Sequence, residues 1–246
     1  MNKGIQLKNV SLSYNSETAQ LKNISLQIPR GTFFGISGVN GSGKTTLSLL
    51  LNGLIPHEID GKLSGDILID GVNTKKKPVS YFAKEVGMLF QNPDFMLFNL
   101  TVFDEIAFGL KKQTGLSEKV YKALEMVDLR DFEKRDPQTL SLGEKQKVCL
   151  ASVLARNTEY IVLDEPVAML DYKGAVNLYT LLGKLNKDYG KTIIVIEHDT
   201  DFLLSFAKEI IILDHGEIVL KGSATSVFSH KQELKNLGIK IPQPIS

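Results

Sequence analysis

The chain has 246 residues, of which 43% are hydrophobic and 23% charged, as in an ordinary globular protein with a substantial core. The net charge of +1 excludes a nucleic-acid partner held chiefly by counterion release, and the single cysteine, Cys149, excludes an internal disulfide. No apolar run reaches the roughly 18 residues that span a bilayer. We therefore expect one unit, residues 1–246, that is cytoplasmic and reaches a membrane only through a partner.

The first part of the chain predicts an antiparallel β layer that leads into a central strand. Residues 5–14 and 21–29 alternate apolar and polar side chains, which is the period of a strand with one buried face. Residues 32–37 form an apolar, β-prone run. Tyr14 ends the first strand, where its ring would either pack against the protein or stack on a base.

A glycine-rich segment, here called the phosphate loop, occupies residues 38–45. It matches G-x-x-x-x-G-K-[ST] and lies between a predicted strand and a predicted helix, which is the context that the pattern requires. The glycines let backbone N–H groups face phosphate oxygens, Lys44 reaches the outer phosphates, and the Thr45 hydroxyl suits Mg²⁺. The nucleotide-binding residues that we predict here are Gly38, Asn40, Gly41, Ser42, Gly43, Lys44, Thr45 and Thr46.

The remaining chain predicts a helical lobe and then a return to the central sheet. The periodicity is helical from residue 102 to about 155, and apolar strands at 159–163 and 192–196 flank a helix over 172–186. Such alternation predicts a parallel sheet with crossover helices. Residues 210–220 predict a hairpin in which His215 is a turn residue rather than a ligand.

We divide the single domain into four parts. They are the β layer with the phosphate loop (1–90), the helical subdomain (92–155), the rest of the core (156–225) and a short C-terminal extension (226–246).

Four side chains at strand ends suggest hydrolytic chemistry. If the strand over 159–163 is a parallel neighbour of the strand before the phosphate loop, Asp164 and Glu165 lie beside that loop. Asp164 then suits Mg²⁺, and Glu165 suits orienting and deprotonating a water molecule. Gln91 would contact the metal or the water, and the imidazole of His198 would reach the same phosphate.

Residues 140–148 open a helix and allow two interpretations. The N-terminus of that helix could bind an anion. Ser141 with Glu144 three residues later also fits a capping box, in which the serine has a structural role. Both interpretations stand at this point.

Together these motifs resemble the nucleotide-binding subunit of an ATP-binding cassette (ABC) transporter over nearly the whole chain. Residues 38–45 match that family's Walker A loop, 161–165 its Walker B strand, and 141–144 its signature loop. The single-residue matches are Gln91 to the Q-loop, His198 to the switch histidine, Asp171 to the D-loop and Tyr14 to the aromatic residue that stacks on adenine.

The resemblance implies a P-loop NTPase fold of the α/β class, with a RecA-like parallel core sheet, an antiparallel β subdomain and an α-helical subdomain. It implies ATP and Mg²⁺ as ligands, with Thr45, Gln91 and Asp164 at the metal. It also implies a dimer in which residues of this chain act on the partner's nucleotide. Those residues are Ser141, Gly143, Glu144 and Asp171.

Within the family, residues 52–56 and 86–109 are similar to the energy-coupling factor (ECF) ATPases of prokaryotic vitamin, cobalt and nickel importers. In those importers two ATPases drive a transmembrane coupling protein and a substrate-binding membrane protein. The resemblance implies a peripheral subunit on the cytoplasmic face of the cell membrane. It also implies that the groove near Gln91, with acidic Asp94, receives a helix of the coupling protein.

Three positions depart from the family pattern: Leu142 and Glu144 replace the usual glycine and glutamine of the signature, and Ala168 replaces a D-loop serine. Because these elements serve the partner's site, we expect a paralogue as the second ATPase, with a homodimer as the alternative. The rival functions are a soluble ABC ATPase of DNA repair or translation, which would normally carry an insertion, a coiled coil or tandem cassettes, and a non-hydrolysing assembly subunit.

Overall fold

The computed structural model describes residues 3–14, 19–110 and 114–245. The strands in these ranges are β1 (Gly4–Ser13), β2 (Leu21–Pro29), β3 (Phe33–Gly38), β4 (Lys62–Ile69), β5 (Val72–Asn73), β6 (Val86–Leu89), β7 (Tyr160–Asp164), β8 (Thr192–Ile196), β9 (Glu209–Asp214) and β10 (Glu217–Ser223). The helices are α1 (Lys44–Leu51), α2 (Leu54–His57), α3 (Val79–Phe82), α4 (Val102–Phe108), α5 (Leu116–Met126), α6 (Leu142–Ala155), α7 (Tyr172–Tyr189), α8 (Thr200–Phe206), α9 (Ala224–Ser229) and α10 (Lys231–Asn236).

An antiparallel sheet with the strand order β2-β1-β4-β5 forms the β layer. Ile5 of β1 lies opposite Ile28 of β2 and Ile69 of β4, so the alternating apolar side chains share one face. That face packs with α1 and with one side of the second sheet in a common hydrophobic cluster. The β layer therefore packs against α1, the helix that follows the phosphate loop.

The second sheet has the order β10-β9-β3-β8-β7-β6, and its neighbouring strands are parallel except for β10 against β9. All residues of β3, β7 and β8 are buried, because the β layer covers one face and helices cover the other. The predicted α/β class with a parallel core sheet, an antiparallel layer and a helical lobe is confirmed.

One prediction about this sheet was wrong: β7 is not the direct neighbour of β3, because β8 lies between them. Both β7 and β8 are short, fully apolar strands, so their sequences give no signal for which of them lies beside β3. The carboxyl ends of the three strands still meet at one edge of the sheet. Consequently, β8, the strand that precedes His198, pairs with β3 on one side, and β9 pairs with it on the other.

Helices α4, α5 and α6 form the helical lobe on the opposite face of the sheet from the β layer. Cys149 on α6 is buried there, and burial raises the pKa of its thiol to about 12, which keeps the thiol protonated and unreactive. None of the helices in the described ranges combines the length and apolarity needed to cross a bilayer.

The chain after α10 lies along α8. The Thr200 hydroxyl donates to the carbonyl of Lys240 (3.0 Å), and the Lys240 ammonium forms an ion pair with Asp201 (2.5 Å). The backbone N–H of Gln243 donates to the same carboxylate at 2.7 Å. These contacts fix the final described residues against the helix that follows His198.

Candidate functional site

The phosphate loop connects β3 to α1 through a turn that requires glycine. Gly38 has φ 153°, and a Cβ atom there would lie 2.2 Å from the carbonyl oxygen of Leu213. Gly43 has φ 104°, and a Cβ atom there would lie 2.8 Å from a methyl carbon of Leu21. The loop is thus formed by close backbone packing that no larger residue permits.

The turn between β9 and β10 forms backbone hydrogen bonds with this loop and with β2. The N–H of Gly216 donates to the carbonyl of Ser42 (3.1 Å), and the carbonyl of Gly216 accepts from the N–H of Lys22 on β2 (2.8 Å). His215 has φ 45° and an exposed side chain, so it is a turn residue, as predicted. The phosphate loop is therefore tied by backbone hydrogen bonds to the hairpin, and through it to the β layer.

Lys44, at the start of α1, is buried against the loop. Its ammonium donates to the carbonyls of Gly38 (2.8 Å) and Val39 (2.9 Å). Burial lowers the pKa of Lys44, and the nearby carboxylates of Glu165 and Asp164 oppose that shift. The Lys44 ammonium is therefore a cation held in place on the side of the loop that faces Asp164 and Glu165.

Asp164, the last residue of β7, presents a buried carboxylate to the start of α1. Burial raises its pKa, the nearby hydroxyls of Thr45 and Ser48 oppose the shift, and Oδ1 has no hydrogen-bond partner among the described residues. A partly unpaired carboxylate beside hydroxyl groups is a donor set that suits a hard divalent cation such as Mg²⁺. Ser48 was not predicted; its only sequence signal is its position one turn after Thr45.

Three predicted residues, Gln91, Glu165 and His198, follow the ends of β6, β7 and β8 and meet at the Glu165 carboxylate. The backbone of Glu165 has φ 49°, which is rare for a residue with a side chain and is held by a hydrogen bond from its N–H to the carbonyl of Ile196 (2.9 Å). Oε1 lies 2.9 Å from Nε2 of His198, and Oε2 accepts from Nε2 of Gln91 at 3.2 Å. This arrangement orients a carboxylate from both sides, as a positioned base requires.

Two neighbouring pockets adjoin these groups. A pocket of about 180 Å³ borders the phosphate loop, and one of about 400 Å³ lies beside Gln91; Thr45 and Glu165 line both. The smaller pocket also contains Gln20, which sequence reasoning missed because it follows the β layer's connecting segment and belongs to no motif. Tyr14 lies at the rim, with its hydroxyl 3.4 Å from that of Thr46.

The residues predicted to act across a dimer lie in a separate pocket of about 440 Å³. They are Ser141, Gly143, Glu144 and Asp171. Asp171 also caps α7, because its Oδ1 accepts from the N–H of Gly174 at 2.7 Å. Neither pocket at the phosphate loop includes these four residues.

The capping-box interpretation of Ser141 and Glu144 is confirmed. Oε2 of Glu144 accepts from the N–H and from the hydroxyl of Ser141, both at 2.8 Å, and these hydrogen bonds lower the pKa of Glu144. The Glu144 carboxylate therefore turns back onto its own chain, and it engages the serine hydroxyl that faces the pocket.

An exposed aromatic surface, here called the aromatic patch, follows Gln91. Phe95 is 82% exposed, Phe98 63% and Leu100 84%. Asp94, the acidic residue of the groove that we predicted to receive a helix, forms an ion pair with Lys145 of α6 at 2.7 Å. The surface beside Gln91 therefore combines exposed apolar side chains with one ion pair.

The sheet order, the glycine loop after a central strand and the carboxylates at the same edge define a nucleotide-binding protein of the P-loop class. The family model described as ABC transporter matches residues 21–168, and the chain belongs to this family. Its members bind ATP with Mg²⁺ and hydrolyse it, dimerise and work with transmembrane partners, and the chain is the ATPase subunit of such a transporter.

Individual relatives are similar over most of their length. An ABC transporter ATP-binding protein of Pyrococcus abyssi is 42% identical, covering 97% of this chain and 87% of the relative. The energy-coupling factor transporter ATP-binding protein EcfA1 of Streptococcus mutans is 38% identical, covering 97% and 85%. Among solved structures, cbiO1 of Clostridium perfringens, part of the ABC transporter complex cbiONQ, has a TM-score of 0.85 at 28% identity, covering 97% of this chain and 95% of that one.

Proposed function

We propose that this chain is one ATPase of an ECF-type importer for a vitamin or a transition-metal ion, on the cytoplasmic face of a prokaryotic membrane. The similarity to EcfA1 and cbiO1 supports this class of transporter. The observation that carries the catalytic part of the proposal is the convergence of Gln91 and His198 on Glu165.

In this proposal the phosphate loop holds the phosphates of ATP, and Lys44 balances their charge. Thr45, Asp164 and Gln91 would hold Mg²⁺, which supplies charge neutralisation at the outer phosphates. Glu165 accepts a proton from the attacking water, and His198 keeps the Glu165 carboxylate in place and reaches the γ-phosphate. Tyr14 at the rim stacks on the adenine.

The aromatic patch is the proposed contact with the transmembrane coupling protein. Contiguous exposed apolar side chains on a folded surface mark interaction sites. Phe98 packs edge-on against Phe108 of α4, with ring centroids 4.8 Å apart, so part of the patch is held rigidly. A substrate-binding membrane protein, the third partner, would hold the transported molecule.

We further propose that the second ATPase is a paralogue of this chain. The groups that act on the chain's own nucleotide lie together, whereas the pocket offered to the partner contains Leu142 in place of glycine and a serine hydroxyl bonded to Glu144. An anionic ligand approaching Ser141 would meet the Glu144 carboxylate, which is unfavourable at short range. A paralogue with an unaltered signature would complete the site on this chain.

The test is Glu165→Gln, made separately in this chain and at the matching position of its partner in the purified membrane complex. In this chain we expect ATP binding to persist while hydrolysis falls by at least ~100-fold, because a positioned base is lost. The matching change in the partner should cost much less. Near-normal turnover with Glu165→Gln would remove Glu165 from the mechanism, whereas equal losses in the two subunits, or an active homodimer, would refute the asymmetric pair.

A further inference from the structure

Glu197, the residue before His198, has a buried carboxylate that none of the steps above uses. Its side chain is 3% exposed, at the carboxyl end of β8. Its backbone is fixed to the strand that leads into the phosphate loop, because its N–H donates to the carbonyl of Ile36 (3.0 Å) and its carbonyl accepts from the Ser37 hydroxyl (2.8 Å). The residue is thus anchored before the chain turns into the loop that carries His198.

The Glu197 carboxylate holds the first turn of that loop. Oε2 accepts from the N–H of His198 at 3.0 Å and from the N–H of Asp199 at 3.3 Å. Hydrogen bonds from backbone N–H groups to an ionised carboxylate are stronger than those to a neutral oxygen. The direction in which the imidazole of His198 leaves the backbone is therefore set by this carboxylate.

Burying a carboxylate at this position costs free energy, which argues against a purely structural role for Glu197. The carboxylate is buried beside the Tyr179 hydroxyl of α7, and the charged groups that act most on it are those of Asp199 and Glu165, which repel it. The pKa of Tyr179 is in turn raised by burial, by the charges of Glu197 and Asp199 and by a side-chain hydrogen bond with Glu197. A neutral side chain of the same size would fill this space at lower cost.

We propose that Glu197 is a positioning residue for ATP hydrolysis: its carboxylate orders the loop so that His198 meets Glu165. The ordered loop keeps Nε2 of His198 at 2.9 Å from Oε1 of Glu165. Small displacements of such groups change rates strongly without changing ligand binding.

The protonation of Glu197 predicts a pH dependence of hydrolysis that a residue with only a packing role would not produce. Burial raises its pKa to about 7, with the carboxylates of Asp199 and Glu165 adding to the shift and the two N–H groups opposing it. The ionised form, which binds the loop more tightly, therefore predominates above about pH 7 and is lost as the pH falls below it.

The first arm of the test measures ATP hydrolysis by the complex that contains the complete chain. Glu197→Ala should lower kcat by at least about tenfold with little change in KM, and Glu197→Gln, which keeps an acceptor but no charge, should lie between it and wild type. The kcat ratio of wild type to Glu197→Gln should fall towards one between pH 8 and pH 6.

The second arm needs no nucleotide and uses NMR of the four histidine side chains in the isolated chain. Glu197→Ala should shift or broaden the His198 resonance and leave His57, His215 and His230 unchanged. Thr158→Val is the matched control, since it removes a buried side-chain hydrogen bond to a backbone carbonyl at the opposite end of β7. An unchanged His198 resonance, a pH-independent kcat ratio, or kcat losses no greater than those of Thr158→Val would each overturn the proposal.

Discussion

Lys44 places a positive charge in a buried position at the phosphate loop. Its ammonium is buried between two carbonyls of its own loop, and burial lowers its pKa. The cost of burying a cation is offset when an anionic ligand is bound beside it. In the proposed function, bound phosphate therefore offsets part of the cost of burying the Lys44 ammonium.

We expect Lys44→Ala to weaken Mg·ATP binding by at least about tenfold, because one close charge-assisted contact to phosphate is worth that much or more. Calorimetric titration of the purified chain measures it directly. Lys187→Ala, in the last turn of α7, is the control for loss of a lysine elsewhere. Unchanged affinity in Lys44→Ala would contradict the assignment of residues 38–45 to phosphate binding.

At the scale of residues, the sequence predicted those that belong to motifs and missed those that support them. Gln91, Glu165 and His198 were predicted separately, and the structure brings them into contact. Ser48 and Gln20 were missed because their contribution arises only when α1 is placed against β7 and the β layer. Glu197 was missed for a different reason: an acidic residue at the end of an apolar strand resembles an ordinary exposed strand end.

At the scale of elements, α6 begins with a capping box whose two residues, Ser141 and Glu144, also line the pocket of about 440 Å³. The Ser141 hydroxyl and the Glu144 carboxylate satisfy backbone N–H groups that the first turn of a helix otherwise leaves unpaired. The helix start was predictable because Ser-x-x-Glu is a local signal. The order of β3, β8 and β7 was not predictable, because it depends on long-range packing between strands of equal hydrophobicity.

Glu144→Ala should lower the free energy of unfolding by about 1 kcal/mol at pH 7, through loss of this cap. The folded-state pKa of Glu144 lies below its usual value, so its ionised form stabilises the fold above about pH 4.3 and the contribution is lost as the pH falls through the folded-state pKa. Urea unfolding at pH 7 and at successively lower pH measures the gap between wild type and variant.

Glu118→Ala is the matched control for the cap. Glu118 also lies in the first turn of a helix, α5, which has no side-chain cap. An equal effect of the two substitutions would argue that the helix dipole rather than the capping box stabilises α6. A gap that does not narrow on acidification would argue that the ionised carboxylate of Glu144 does not stabilise the helix.

At the scale of the whole molecule, the aromatic patch and the nucleotide pockets adjoin each other through Gln91. Phe95 lines the same pocket of about 400 Å³ as Gln91, Asp164 and Glu165. A partner that contacts the patch would therefore touch a wall of the pocket that contains Glu165. In the proposed function, this proximity is a direct physical route by which the transmembrane partner and ATP hydrolysis influence each other.

The double substitution Phe98→Ser and Leu100→Ser should reduce recovery of the transmembrane partner by at least about tenfold, since exposed apolar anchors contribute most to an interface. It should leave ATP affinity of the isolated chain within about twofold, because neither residue lines the pocket that contains Gln91 and Glu165. Co-purification from membranes and nucleotide titration provide the two measurements. Tyr189→Ser, at the end of α7, controls for loss of an exposed aromatic residue. Parallel loss of both properties would indicate a folding defect instead of a docking defect.

The hydrogen bonds between the Gly216 turn, Ser42 and Lys22 have a thermodynamic consequence. Because the hairpin and the β layer already hold the phosphate loop, most of the conformational entropy of ordering that loop is lost during folding rather than during nucleotide binding. The same bonds make the loop's shape depend on the β layer. Nucleotide that binds only the folded loop must then shift the folding equilibrium of both sheets together, so ligand binding and the cooperative unfolding of the two layers are linked.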